Sequence, residues 1–279
     1  MRRLFVAAVA VWTSVAAAQR TESDRLTWQG VERTFSLRIP SDAGRRMPLI
    51  ILLHGRGGSA QGVMQRTGFD AKADLERFFL VAPDGTGNPR GWYTGFAPGG
   101  AIDDVGFIGA LIDTLIARYG IDRTRVYVVG YSNGGVLAHR LASDLSKRIA
   151  ATAVVAGAVG AQSANGNVVR IDPPRAPVPL LIMHGDADDV VPYRATRGPL
   201  PAPDGAVFWA RANECAVLTP RRDSLAEGRV LREVWHTRCR APVVFLTLRG
   251  GDHGWPRTSR GSAIEGADAI WEFLREHRR

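Results

Sequence analysis

The stretch that decides the fold is Val126-Tyr127-Val128-Val129-Gly130-Tyr131-Ser132-Asn133-Gly134-Gly135, followed by Val136-Leu137-Ala138. Four apolar residues run without interruption into Gly-x-Ser-x-Gly, and a helical pattern begins at once. A buried strand feeding straight into a helix forces a sharp turn. Glycines on either side remove Cβ clashes there, and the serine hydroxyl is left standing above the sheet edge at a helix N-terminus. The alternative role for Ser132, an ordinary N-cap in a glycine-rich turn, does not account for the strand that precedes it.

Outward from this turn, short apolar runs recur at Leu49–Leu53, Phe78–Ala82, Ala153–Ala158, Leu180–Met183 and Val243–Leu248. Continuous apolar runs of this length mark strands buried on both faces, which implies a mostly parallel sheet. An antiparallel start is expected around Leu26–Gln29 and Arg33–Ile39. Helical spacing is clearest over Asp104–Tyr119, where Val105, Ile108, Leu111, Ile112 and Leu115 repeat at three and four residues. Further helices are predicted over Gly134–Leu145, Ala206–Asn213 and Ala263–Glu276. Strand and helix alternation makes this an α/β, doubly wound fold. The stretch from Gly160 to Pro179 reads as a single irregular insertion, too short for a large lid domain.

A chain of 279 residues, 45% apolar, fits one domain with a sizeable core. Residues 1–18 read as a secretory signal peptide: Met-Arg-Arg, the apolar run Leu4–Val15, then Ala16-Ala17-Ala18. That run is too short to span about 30 Å of hydrocarbon, so the expectation is a secreted or periplasmic protein with residues 19–279 as one catalytic domain and no membrane anchor. Export gives Cys215 and Cys239 an oxidising setting, and the pair suits one disulfide. The formal net charge is +9, carried almost entirely by arginine, with Lys72 and Lys147 the lysines. It is scattered in pairs such as Arg45-Arg46 and Arg221-Arg222, which argues against a nucleic-acid partner and leaves attraction to polyanionic material open.

A serine hydroxyl needs a base within hydrogen-bond reach and an acid to orient that base. His253, just beyond the run Val243–Leu248, is the one histidine of six that follows the last strand closely, and it is the expected base. His184 precedes the acidic cluster and is read as packing or bonding locally; His139, His236 and His277 are read as structural or surface groups. The acid lies among Asp186, Asp188 and Asp189, after Leu180–Met183; loop geometry does not follow from spacing, and Asp188 is favoured. Negative charge on an ester carbonyl oxygen calls for two backbone N–H donors. Asn133 follows the nucleophile, and Arg56 lies in the loop His54-Gly55-Arg56-Gly57-Gly58 after the first apolar run. Neither a Walker lysine pattern nor Gly-x-Gly-x-x-Gly is present, so no cofactor and no metal is expected.

These residues together resemble the secreted polyhydroxybutyrate depolymerase and feruloyl esterase family of α/β-hydrolases. The likeness rests on Leu53-His54-Gly55-x-Gly57-Gly58-Ser59, Pro83-Asp84-Gly85, Asp103-Asp104-Val105-Gly106-Phe107, Gly130–Gly135, the His184–Tyr193 segment and His253-Gly254-Trp255-Pro256. It implies the α/β-hydrolase fold, Asp188 as the triad acid, a paired Cys215 and Cys239, and a structural role for Asp103 and Asp104 in holding the loop that follows the glycine-rich stretch to Gly100. The implied activity is that of a serine carboxylic ester hydrolase of feruloyl esterase or polyhydroxybutyrate (oligomer) depolymerase type. Acetyl xylan esterase and serine peptidase are the alternatives within the fold, and a non-catalytic binding protein the alternative outside enzymes. The depolymerase branch often carries a Cys near Arg56 and an added polymer-binding domain; neither is in this sequence, which turns the expectation toward soluble or oligomeric ester substrates. Trp92, Tyr93 and Phe96 are expected to stack on the acyl group or a sugar, with Trp255 beside the base.

Overall fold

A computed structural model describes residues 20–41, 43–95, 102–163, 165–194 and 198–279. The signal peptide expected over 1–18 and the ring of Phe96 lie outside the described residues. In chain order the elements are β1 (Arg20–Trp28), β2 (Val31–Ile39), β3 (Leu49–Leu53), α1 (Ala60–Thr67), α2 (Phe69–Glu76), β4 (Phe79–Pro83), α3 (Asp104–Tyr119), β5 (Val126–Tyr131), α4 (Asn133–Asp144) and β6 (Ala151–Val155). There follow β7 (Gly160–Gln162), β8 (Val168–Arg170), β9 (Leu180–Gly185), β10 (Gly198–Pro199), α5 (Ala202–Ala212), β11 (Arg221–Leu225), β12 (Val230–Trp235), β13 (Val243–Leu248) and α6 (Gly266–Arg275).

Ten strands form one sheet in the order β1-β2-β4-β3-β5-β6-β9-β13-β12-β11. The six from β4 to β13 are parallel, and antiparallel pairs extend both edges. Alternation explains the continuous apolar runs. Leu49, Ile51 and Leu53 face one core with α3, α4 and α5, while Ile50 and Leu52 face the other with α1, α2 and α6. The helix read over Asp104–Tyr119 has those ends in the structure, capped by the Asp103 side chain, which accepts from Gly106 N, and closed by Gly120 in the left-handed region.

Three features differ from the sequence reading. Helices α1 and α2 fill the connection between β3 and β4, where mixed polar residues hide the helical period. The stretch Gly160–Pro179 is not wholly irregular: β7 and β8 pair and join β10 in a small second sheet. Between the cysteines lies a β11–β12 hairpin that extends the main sheet. Its outer strand, Arg-Arg-Asp-Ser-Leu, is too polar to read as a strand because it sits on an edge. The expected Cys215–Cys239 disulfide is formed and closes that hairpin onto the end of α5. No helix among the described residues is long and apolar enough to cross a membrane.

Candidate active site

Ser132 sits between the end of β5 and the start of α4 with φ 54° and ψ −121°, a backbone region that non-glycine residues rarely enter. Close packing holds it there. A Cβ on Gly130 would lie 2.1 Å from Gly134 O, and one on Gly134 would lie 2.5 Å from both Leu53 O and His54 O. The two glycines of the motif are thus demanded by the approach of α4 to β3 and β5.

His253, in the loop after β13, donates from Nδ1 to Asp188 Oδ2 at 2.8 Å, and its Nε2 accepts from Ser132 Oγ at 2.8 Å. Residues 65 and 121 positions apart are therefore strung on one line of hydrogen bonds, in the geometry a general base requires. Asp188 is 5% exposed. Burial alone would raise its carboxyl, but hydrogen bonds from His184, His253 and the backbone N–H of Val191 outweigh burial and hold it well below the usual carboxylate range. Its two neighbours in sequence do other things. Asp186 accepts from Gly250 N at 2.6 Å, tying the acid loop to the base loop, and Asp189 is exposed. Asp252 accepts from Gly254 N within its own turn instead of reaching His253.

His184 has a larger part than local packing. Its Nε2 lies 2.7 Å from Val191 O and 3.2 Å from Asp188 Oδ2, so two imidazoles share one carboxylate. The signal for it is the spacing of four between His184 and Asp188 across the tight turn after β9. His139 is a structural group: fully buried in α4, it stacks on Trp209 and accepts from Trp209 Nε1 at 2.9 Å. His236 is exposed, and His277 O accepts from Tyr127 OH.

The loop from His54 to Ser59 packs directly on Ser132; a Cβ on Gly55 would sit 3.2 Å from Ser132 Cβ. His54 anchors it. Its Nε2 accepts from Gly85 N (2.9 Å) and its Nδ1 donates to Gly55 O (2.7 Å), and burial pushes the imidazole down, which keeps this neutral tautomer. Gly57 N donates to Arg90 O at 2.6 Å, while the backbone N–H groups of Arg56 and Asn133 donate to no acceptor among the described residues. Both are free for an incoming oxygen. Around Ser132 lies a cavity of about 480 Å³ with His253 on its floor and walls from Arg56, Gly58, Ser59, Arg66, Tyr131 and Val190.

Trp92 and Trp255 are corrections. They are 6% and 4% exposed, and the described lining of the Ser132 cavity contains neither of them, nor Tyr93. Trp92 is a strut: Nε1 donates to His54 O (2.8 Å) and its N to Asn133 Oδ1 (2.7 Å). Trp255 packs edge-on against Phe69 and Tyr131. Both rings are held by packing and bonds that shape the loops, and Trp255 borders the neighbouring cavity behind the His253 loop, not the one at Ser132. Tyr93 is half-buried and held by its N–H, which donates to Asp104 Oδ2 at 2.7 Å. Asp104 also pairs with the buried Arg33 (2.7 Å). Among the described residues Asp104 thus holds the segment ahead of the glycine-rich stretch, while Asp103 caps α3 after it.

Residues 34–195 match the family model described as esterase PHB depolymerase. The chain belongs to that family. It is 28% identical over 254 residues to feruloyl esterase C of Emericella nidulans, covering 87% of this chain and 83% of that protein. It is 29% identical over 179 residues to the bifunctional acetylxylan esterase/xylanase of Neocallimastix patriciarum, covering 64% of this chain and 25% of that protein. The chain thus spans a quarter of the length of the bifunctional relative. Among solved structures, the acetyl xylan esterase from Aspergillus awamori superposes with a TM-score of 0.67 at 14% identity, over 91% of this chain and 98% of that one. The ferulic acid esterase from Anaeromyces mucronatus, solved with ferulic acid, superposes with a TM-score of 0.56, also at 14% identity, over 94% and 91%. The fold is the α/β-hydrolase fold with a mostly parallel central sheet.

Proposed function

We propose that this protein is a serine carboxylic ester hydrolase that works through an acyl-enzyme, on feruloyl or acetyl esters of saccharides. The single observation that carries the reading is the unbroken line Ser132 Oγ, His253 Nε2, His253 Nδ1, Asp188 Oδ2, with both links at 2.8 Å. In this reading His253 takes the proton of Ser132 as Oγ attacks the ester carbonyl. The N–H groups of Arg56 and Asn133 receive the oxyanion, His253 returns the proton to the leaving alcohol, and water repeats the sequence to free the acid. Asp188 stays ionised throughout, in keeping with its depressed titration. The similarity to feruloyl esterase C over 87% of this chain and the cavity open to Ser132 support a saccharide-borne ester over a peptide. Export, through the leader expected at residues 1–18, belongs to the same reading.

The test is stoichiometric labelling of Ser132 by a fluorophosphonate, with turnover of methyl ferulate, acetylated xylo-oligosaccharide and hydroxybutyrate oligomers measured side by side. Ser132→Ala is expected to abolish labelling and to lower turnover by on the order of 10⁶-fold with the fold intact. Wild-type turnover retained by that variant would sink the mechanism.

A further inference from the structure

A second cavity of about 280 Å³ lies on the other side of the loop that carries His253. It is near the lower end of the size range of small-ligand pockets, about 300–1,000 Å³. Five arginines line it, Arg66, Arg229, Arg249, Arg257 and Arg260, against one carboxylate, Asp252. Elsewhere several arginines are written into ion pairs, such as Arg25–Glu32, Arg118–Asp24 and Arg232–Asp223. Within the cavity, Arg257 is tied to Glu265 at 3.2 Å and donates to Arg66 O. The guanidinium groups of Arg66, Arg229, Arg249 and Arg260 meet no carboxylate and no other acceptor among the described residues, and all four residues are exposed.

Their placement runs against the local energetics of the sheet. The register Val230↔Leu248 sets Arg229 directly across from Arg249, and Arg249 N donates to Arg229 O at 2.9 Å. Like charges opposed across a strand pair are destabilising, and no carboxylate among the described residues pairs with either one. An anion would. Arg66 also lines the cavity at Ser132, so the two cavities share a wall, and His253 in one is flanked by Asp252 and Gly254 in the other.

We propose that this cavity is an anion subsite that receives a carboxylate of the molecule carrying the scissile ester, so that the preferred substrates are acyl esters borne on uronate-type, carboxylate-bearing saccharides. The proposal rests on the ester hydrolase reading for the chemistry at Ser132, but not for the binding it asserts. Planar guanidinium groups match carboxylate oxygens in pairs, and Arg66 places such a contact within one substrate length of the nucleophile. A neutral saccharide finds no partner for these charges and gains nothing from the second cavity.

Binding is measured by calorimetry on the full chain carrying Ser132→Ala, with a galacturonate hexasaccharide and a neutral xylose hexasaccharide as probes. The galacturonate is expected to bind more tightly than the neutral oligomer, and to weaken as salt shortens the screening length from about 10 Å at 0.1 M to about 3 Å at 1 M. Adding Arg229→Gln and Arg249→Gln should raise its dissociation constant by about tenfold or more and leave the neutral oligomer unaffected. Arg260→Gln, at an exposed turn, gives the same readout should the double replacement fail to fold. Equal binding of the two oligomers, or a galacturonate affinity indifferent to these replacements, overturns the proposal. A phosphorylated sugar that binds more tightly than the galacturonate overturns the carboxylate assignment. Turnover of 4-nitrophenyl acetate by otherwise wild-type Arg229→Gln/Arg249→Gln protein should be unchanged; if wild type itself does not turn it over, the ester hydrolase reading fails while the binding result stands on its own.

Discussion

Two buried carboxylates, Asp104 and Asp188, are solved in opposite ways. Asp104, 1% exposed at the start of α3, faces the permanent cation of Arg33 and the N–H of Tyr93. Asp188, 5% exposed after β9, faces two imidazoles and two backbone N–H groups from Val190 and Val191. A guanidinium never gives up its proton, so the Arg33–Asp104 pair can only fasten: it pins β2, α3 and the Trp92–Tyr93 segment together. An imidazole can take a proton and give it back, so the carboxylate beside His253 is placed to stabilise a charge that comes and goes. The same buried side chain makes a bolt in one place and, in the mechanism proposed above, the back of a proton relay in the other, and the partner decides which.

The comparison breaks most visibly at Asp188. Asp188→Asn keeps the shape but offers His253 Nδ1 an ambiguous partner, and kcat for ester turnover is expected to fall on the order of 10⁴-fold while circular dichroism and the melting temperature change little. A retained kcat would mean the carboxylate is only another fastener. At Asp104 the expected effect falls on stability. Arg33→Leu leaves an uncompensated buried charge and should cost about 3–5 kcal/mol in denaturant unfolding, whereas Arg33→Leu with Asp104→Leu should recover much of it. Loss of activity without loss of stability in the single variant would contradict the bolt.

His184→Leu sharpens the contrast with a smaller effect. It removes one donor from Asp188, so the carboxyl moves back up toward the ordinary range, and kcat should fall about tenfold to a hundredfold. An unchanged kcat would show that His184 only packs. A pH readout belongs to His139, buried with no carboxylate bonded to its ring. Burial pushes it down to about 3 from 6.5. The unfolded chain then takes up a proton below pH 6.5 that the folded chain refuses, so stability should decline as pH falls from 6.5 toward 3, by at most about 1.4 kcal/mol per pH unit. The His139→Phe variant should lose that slope in urea titrations.

Much of this was legible in the sequence because it is local. The parallel strands β3, β4, β5, β6, β9 and β13 are continuous apolar runs since each is covered on both faces, and α3 declares its period over sixteen residues. The turn at Ser132 is visible because Gly130 and Gly134 must be glycine for their own backbones to pass. The polar edge strand β11 and the mixed helices α1 and α2 were not legible, because their hydrophobic contrast is weak and neighbours distant in the chain stabilise them.

The chain order of Ser132, the Asp186–Asp189 cluster and His253, each after a strand, is a property of the sequence alone, and so is the choice of Ser132 as the proposed nucleophile. Which carboxylate faces the base was settled only by tertiary structure: Asp186 and Asp189 differ from Asp188 by a turn whose path depends on Gly250 and Val191, far away or folded back. The fate of the tryptophans was settled there too. An indole at a strand end reads the same whether it meets substrate or packs inside, and only the carbonyl of His54 and the ring of Phe69 decided that Trp92 and Trp255 pack. Burial is a sum over neighbours that the linear order does not contain.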